Sequence, residues 1–228
     1  MKKLLNTLYV TSADSYLVKD GDNVVVRVDG AEKLRVPLHN LESVVCFGYA
    51  GASPALMQAC AQARIGLCFL TENGEFCARI NGETCGNVLL RRRQYRVADD
   101  AAAALKISRN FVAGKIANSR SVIERGLRDY DALASNHTML DVSEKLRGAK
   151  VNAYQAFDEG VLRGIEGDAA NAYFGVFDNL IVSNKDAFKF CGRSRRPPRD
   201  AVNALLSFIY TLLAHDVQNA LESVGLDP

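Results

Sequence analysis

The sequence predicts an α+β protein in two parts: a β-rich N-terminal domain, residues 1–86, followed by an all-helical C-terminal domain, residues 87–228. Three observations predict it. Up to about residue 86, short β-branched and aromatic runs alternate with Gly, Asn and Asp turns, the pattern of strands. Beyond that point the turn signals thin out and apolar residues recur at helical spacing. The chain's 228 residues, 48% hydrophobic and 24% charged, supply apolar material for at least one buried core, and this length corresponds to roughly one to two domains.

In chain order, Leu8-Tyr9-Val10 opens as a strand. Tyr16-Leu17-Val18 is placed to pair with Val24–Val28 across a turn at Lys19-Asp20-Gly21-Asp22. Lys33–Val36 and Ser43–Phe47 are further strands. Ser53-Pro54 starts a helix, with Ser as N-cap and Pro at the first helical position; Leu56, Met57, Cys60 and Ala63 form its inner face. Ile65–Leu70 is a buried strand, Asn73-Gly74 turns the chain into Phe76–Ile80, and Asn81-Gly82 turns it again. Leu89–Arg96, Ala101–Leu127 and Val161–Phe177 are helices, Ser135–Ser143 is a loop, and Lys189–Pro198 is a loop that ends in a double proline. Pro198-Arg199-Asp200 opens a long helix. Its positions Val202, Leu205, Leu206, Ile209, Leu212 and Leu213 continue to Val217, Ala220 and Leu221 at helical spacing, with Gly225 as C-cap.

No apolar run approaches the roughly 18 residues of a membrane span. Asn6, Thr7, Ser12, Asp14 and Ser15 interrupt the N-terminal apolar stretch too early for a signal peptide. A soluble, cytoplasmic protein without a membrane partner is expected. The six cysteines have no Cys-x-x-Cys spacing and several lie in apolar runs, which fits buried, reduced thiols. His39, His137 and His215 stand far apart, so zinc is not indicated. The formal net charge of +2 announces no nucleic-acid partner by itself, but its distribution is uneven. Arg91, Arg92, Arg93 and Arg96 form one run; Arg193, Arg195, Arg196 and Arg199 form another, stiffened by Pro197-Pro198 at the start of the long helix. Concentrated arginine suits bidentate phosphate contacts; a solvated or salt-bridged surface is the alternative. Asn203 and Ser207, one turn apart on that helix, suit helix-packing hydrogen bonds. His215 is structural or exposed, and adjacent Asp216 points elsewhere, so the two do not share a metal.

One carboxylate is out of place. Helical spacing sets Glu166 on one face with Leu162, Ala169 and Tyr173, where it must be paired, protonated or bound to a cation. Alternatively the helix starts at Gly164, and Glu166 sits in a first turn that favours acidic side chains. Asp168 faces another way, toward solvent.

Two blocks then carry a resemblance: Glu166-Gly167-Asp168-Ala169-Ala170-Asn171-Ala172-Tyr173-Phe174, and Arg195-Arg196-Pro197-Pro198-Arg199-Asp200-Ala201-Val202-Asn203-Ala204-Leu205-Leu206-Ser207. Together they closely resemble the CRISPR-associated integrase/endonuclease that captures new spacers, in its type I, subtype C form. The resemblance implies a β-rich N-terminal domain, a helical catalytic domain, and a homodimer bridged to a second one by a small partner protein of the adaptation complex. It implies Mg²⁺- or Mn²⁺-dependent DNA cleavage and attack by a DNA 3′-hydroxyl on a phosphodiester. Family members bind the metal through a glutamate, a histidine and an aspartate. Glu166 matches the glutamate, as catalytic residue and metal ligand; a cation there would answer the inner-face carboxylate. His215 lies upstream of the family's histidine, and neither Asp216 nor Asp227 matches its aspartate, so the chain, stopping at Pro228, is expected to be truncated and inactive by itself. In this setting Arg91, Arg92, Arg93, Arg96, Arg193, Arg195, Arg196 and Arg199 are the expected DNA contacts. A non-catalytic DNA-binding scaffold is the alternative function.

Overall fold

The computed structural model describes residues 6–80, 82 and 88–228. The turn residue Asn81, Cys85 and the domain break expected between residues 86 and 87 lie outside the described residues. The protein has β-sheets in its N-terminal part and helices after them, the α+β class expected. The helices, in chain order, are α1 (Pro54–Ala63), α2 (Val88–Asp99), α3 (Ala101–Asp129), α4 (Asp131–Ala134), α5 (His137–Gln155), α6 (Glu159–Val176) and α7 (Ala201–Ser223). The chain divides into two compact units. One comprises the residues up to Gln94 together with Phe208–Pro228, the other Tyr95–Ser207, so the division falls inside α7.

The first unit holds strands β1 (Thr7–Val10), β2 (Ser15–Asp20), β3 (Asn23–Val28), β4 (Ala31–Pro37), β5 (Ser43–Phe47), β6 (Gly51–Ala52), β7 (Gly66–Leu70) and β8 (Phe76–Ile80). They form two four-stranded sheets, ordered β1-β5-β7-β8 and β4-β3-β2-β6. The β2–β3 ladder runs on to Asp20 opposite Asn23. Only Gly21 and Asp22 are therefore left to turn the chain, a tighter hairpin than the four-residue turn expected. The next hairpin turns at Asp29-Gly30, both at positive φ, the geometry whose twist suits a two-residue connection.

Side-chain alternation in the first sheet decides its two faces. Val44, Cys46 and Leu67 join Leu17, Val24, Val26, Leu56 and Cys60 in one core. Val45, Phe47, Cys68 and Leu70 point the other way, where Phe208 and Leu212 of α7 cover them. The Ser53 hydroxyl caps α1 by accepting from the Leu56 N–H. Leu56 and Cys60 are its buried residues. Ala63, expected on the inner face, is exposed instead, because the helix ends there and Arg64 takes a left-handed conformation at φ 56° to lead into β7.

In the second unit α3, α5 and α6 bury Ile116, Ile123, Met139, Leu146, Leu162 and Ala169 in one core. The expected loop at Ser135–Ser143 is a helix start: the Asn136 side chain accepts from the Met139 N–H, and α5 runs from His137. Met139 and Ser143 are buried one turn apart, which is an inner helix face that a polar-looking segment concealed. At the end of α6, Tyr173 and Phe174 form a connected aromatic cluster with Phe177 and Phe190 beyond it. Asp178 accepts from the Phe190 N–H and pairs with Lys185, fixing the segment that leads to the second arginine run.

Candidate functional site

Helix α6 begins at Glu159, capped by Asp158, whose carboxylate accepts from the Val161 N–H. Glu166 therefore lies two turns inside the helix, and a position in its first turn is excluded. Leu162 and Ala169 on the same face are buried in the helical core, while Glu166 is half-buried at its margin. Its carboxylate accepts from the Lys115 ammonium of α3 at 2.5 Å. Of the three ways to accommodate this charge, the structure uses pairing. Asp168 is exposed, as expected.

The second arginine run is an ordered loop built around a buried side chain. Asn203, in the first turn of α7, is fully buried. Its Nδ2 donates to the Gly192 carbonyl at 2.8 Å and to Asp200 Oδ2 at 2.6 Å. Its Oδ1 accepts from the Ser194 N–H at 2.9 Å and from the Arg193 guanidinium at 2.9 Å. Asp200 also caps α7, accepting from the Asn203 N–H at 2.7 Å. Arg193 is half-buried and also donates to the Ser194 carbonyl and toward the Ser207 hydroxyl. Arg195, Arg196 and Arg199 are exposed. Asn203 and Ser207 do more than the helix packing expected of them: Asn203 binds the loop, and Ser207 donates back to the Asn203 carbonyl while accepting from Arg193.

The first run lies on α2, with Arg91 half-buried and Arg92, Arg93 and Arg96 exposed. In the other direction along the chain, His215 is buried in the first unit and stacks on the Phe76 ring with centroids 5.7 Å apart. Burial, with Arg79 nearby, lowers its pKa, so the neutral imidazole is favoured. That is a structural histidine, one of the two states expected for it.

A family model described as CRISPR associated protein Cas1 matches residues 8–228. The chain belongs to the Cas1 family. It is 49% identical over 228 residues to the CRISPR-associated endonuclease Cas1 1 of Chlorobaculum tepidum, covering all of this chain and 66% of that protein. It is 50% identical over 235 residues to the CRISPR-associated endonuclease Cas1 2 of Rhodospirillum rubrum, covering 67% of it. The chain thus spans about two thirds of the length of these curated relatives. Among solved structures, a Cas1 protein from Thermotoga maritima matches with a TM-score of 0.72 at 23% identity over 98% of this chain and 67% of that one. A casposase bound to integration product matches with a TM-score of 0.73 at 20% identity, over 98% of this chain and 63% of that one. At these identities the structural likeness is one of fold.

A divalent cation implied by the Cas1 family can be tested against the side chains at hand. Among the described residues no group of three His, Cys, Asp or Glu side chains could hold a metal ion. Glu166 brings one carboxylate, and such sites draw on one or two carboxylates completed by water and substrate phosphate. The residues present do not make a complete site, and no catalytic step is assigned to a cation held by them alone. Lys115 went unnoticed in the sequence because it lies 51 positions from Glu166, with no local pattern to link them. The hub role of Asn203 had one signal available, its place with Ser207 on the more polar side of the long helix, just after an arginine loop.

Proposed function

We propose that this chain is the larger part of a metal-dependent DNA endonuclease/integrase of CRISPR adaptation, resembling the type I, subtype C form, which inserts new spacers through attack of a DNA 3′-hydroxyl on a phosphodiester. Membership of the Cas1 family over residues 8–228 is the observation that carries this reading. The position of Glu166 supports it: a carboxylate at the margin of a packed helical core, two turns inside its helix, held at 2.5 Å by an ammonium. Such a carboxylate is already arranged to face positive charge.

In this reading Glu166 is one ligand of a Mg²⁺ or Mn²⁺ centre whose other ligands lie outside these 228 residues, so this chain alone does not turn over. Arg91, Arg92, Arg93, Arg96, Arg193, Arg195, Arg196 and Arg199 belong to the DNA-binding surface, through phosphate contacts that bring strong salt dependence and little base specificity. The working assembly is a homodimer with a small partner protein of the adaptation complex, in the cytoplasm. No described helix is long and apolar enough to cross a membrane.

The test is a cleavage and strand-transfer assay with Mn²⁺ on this chain, on its Glu166→Ala variant, and on a longer Cas1 relative with the matching substitution. Turnover by the longer relative, lost on substitution and absent from the 228-residue chain, is expected. Turnover by the 228-residue chain would show that the ligand set is complete within it. A longer relative that keeps full activity without the glutamate would remove Glu166 from the centre.

A further inference from the structure

The four arginines between Cys191 and Ala201 do not do one job. We propose that Asn203 is the positioning residue of this loop, with Arg193 as its internal brace, and that together they present Arg195, Arg196 and Arg199 to consecutive phosphates of a bound DNA backbone. The inference rests on reading the loop as a phosphate-binding element.

Asparagine has two N–H donors and an oxygen with two lone pairs. Here all are used, on Gly192, Asp200, Ser194 and Arg193. Two of those partners are main-chain groups whose character cannot change: the Ser194 N–H only donates and the Gly192 carbonyl only accepts. They dictate which way the amide faces. Aspartate at 203 would set a carboxylate against the Gly192 carbonyl and the Asp200 carboxylate, and an apolar residue would leave the Ser194 N–H and the Gly192 carbonyl without this partner, a loss that weakens the loop's tie to the helix. The chain on either side of Arg193 is therefore tied to the first turn of α7.

The tie is extended to the far side of the loop. The Ser194 hydroxyl accepts from the Arg199 N–H at 3.0 Å, so residues 192–200 are held from both ends. Within this frame Arg193 turns inward, its planar fork spent on Asn203, the Ser194 carbonyl and Ser207. Lysine, a point charge on a flexible stem, cannot reproduce that fork. Arg195, Arg196 and Arg199 have the opposite disposition and are exposed. A backbone fixed before binding spares part of the ordering cost when their side chains engage an anion. A loop kept only for solubility has no use for a fully buried amide whose every hydrogen-bonding position is filled.

The experiment measures binding of a short DNA duplex to the 228-residue chain by fluorescence anisotropy across a salt series. The variants are Asn203→Ala, Arg193→Lys, and a triple Arg195→Ala, Arg196→Ala, Arg199→Ala. Each phosphate contact contributes about 0.9 to the slope of log affinity against log salt. The triple variant is expected to lose about 2.7 from the slope on that basis. Asn203→Ala and Arg193→Lys change no net charge, yet each is expected to lower the slope by about 1 and the affinity several-fold, as contacts fall out of register. Slopes and affinities at the parent value in both charge-conserving variants, with the slope lost in the triple, would overturn the positioning role and leave the phosphate reading intact. A parent chain without salt-dependent binding, or a triple variant with the parent slope, would overturn the phosphate reading and the inference with it. Should circular dichroism show Asn203→Ala unfolded, Arg193→Lys decides the question.

Discussion

Glu166 and Lys115 meet at 2.5 Å with roughly a third and a half of their side chains exposed. Solvent screens a pair so placed, and exposed pairs contribute about 0–1 kcal/mol. Lys115→Ala is accordingly expected to change unfolding free energy by less than about 1 kcal/mol in a urea titration; a larger loss would mean that the pair is structural and that Glu166 is not available to another cation. His215 makes a prediction of different sign. Burial first, and Arg79 second, hold its pKa below the ordinary 6.5, with Asp216 opposing. As pH falls below about 6.5, the unfolded imidazole takes up a proton before the folded one does, so stability declines on that side and is full above it. The thermal midpoint is expected to fall between pH 7 and pH 5, and His215→Gln to flatten that part of the curve. A substituted protein with the same slope would assign the loss to other groups.

At the scale of elements, close approach decides more than propensity does. Strand β7 begins at Gly66, where an added Cβ would lie 2.4 Å from Asn219 Nδ2 of α7. Asn219 in turn donates toward the Ser43 hydroxyl on neighbouring β5. Glycine leaves room for the Asn219 amide, and a methyl there would push that side-chain end away from Ser43, overpacking at the low end of about 1–3 kcal/mol. Gly66→Ala is expected to lose that much in thermal unfolding, and Asn219→Ala in the same chain to restore part of it. No restoration would show that the strain lies elsewhere. The start of α5 carries a second case: Asn136→Ala removes the side chain that accepts from the Met139 N–H and is expected to cost about 1 kcal/mol, the usual worth of such a cap. Both features were partly legible. Asn136 is a good cap residue read as part of a loop, because His137, Thr138 and the polar residues around them mask the buried spacing of Met139 and Ser143. Gly66 stood between apolar neighbours with nothing nearby in sequence to say what came close.

At the scale of the molecule, the first unit is discontinuous in sequence. One face of its first sheet, with Val45, Phe47, Cys68 and Leu70, is covered by Phe208 and Leu212, more than a hundred residues further along. Burial raises the Cys46 thiol to about 12 and the Cys60 and Cys68 thiols to about 11, whereas Cys77 and Cys191 are exposed. In the native chain, Cys77 and Cys191 are expected to react with a thiol reagent at pH 8, and Cys46, Cys60 and Cys68 only on unfolding. A fragment ending at Gln94 is expected to expose Cys68 selectively, with Cys46 and Cys60 still protected inside the other core. Protection of all three thiols in that fragment would mean that residues 208–228 are not needed to close the sheet.

What the sequence determined by itself was local. β-branched and aromatic runs between Gly, Asn and Asp turns set the strands, Ser53-Pro54 set the start of α1, and the run from Glu166 to Phe174 with that from Arg195 to Ser207 pointed to the family, because each of these is written in neighbouring residues. What only the tertiary structure decided lay outside any helical or strand period: the partner of Glu166, the division of α7 between two compact units, and the sorting of one arginine run into Arg193 held inward and Arg195, Arg196 and Arg199 left outside. A charge finds its counter-charge where the fold brings it, 51 residues away for Glu166. The buried amide of Asn203 takes partners 3 to 11 residues away, but along an irregular loop whose path no local period encodes.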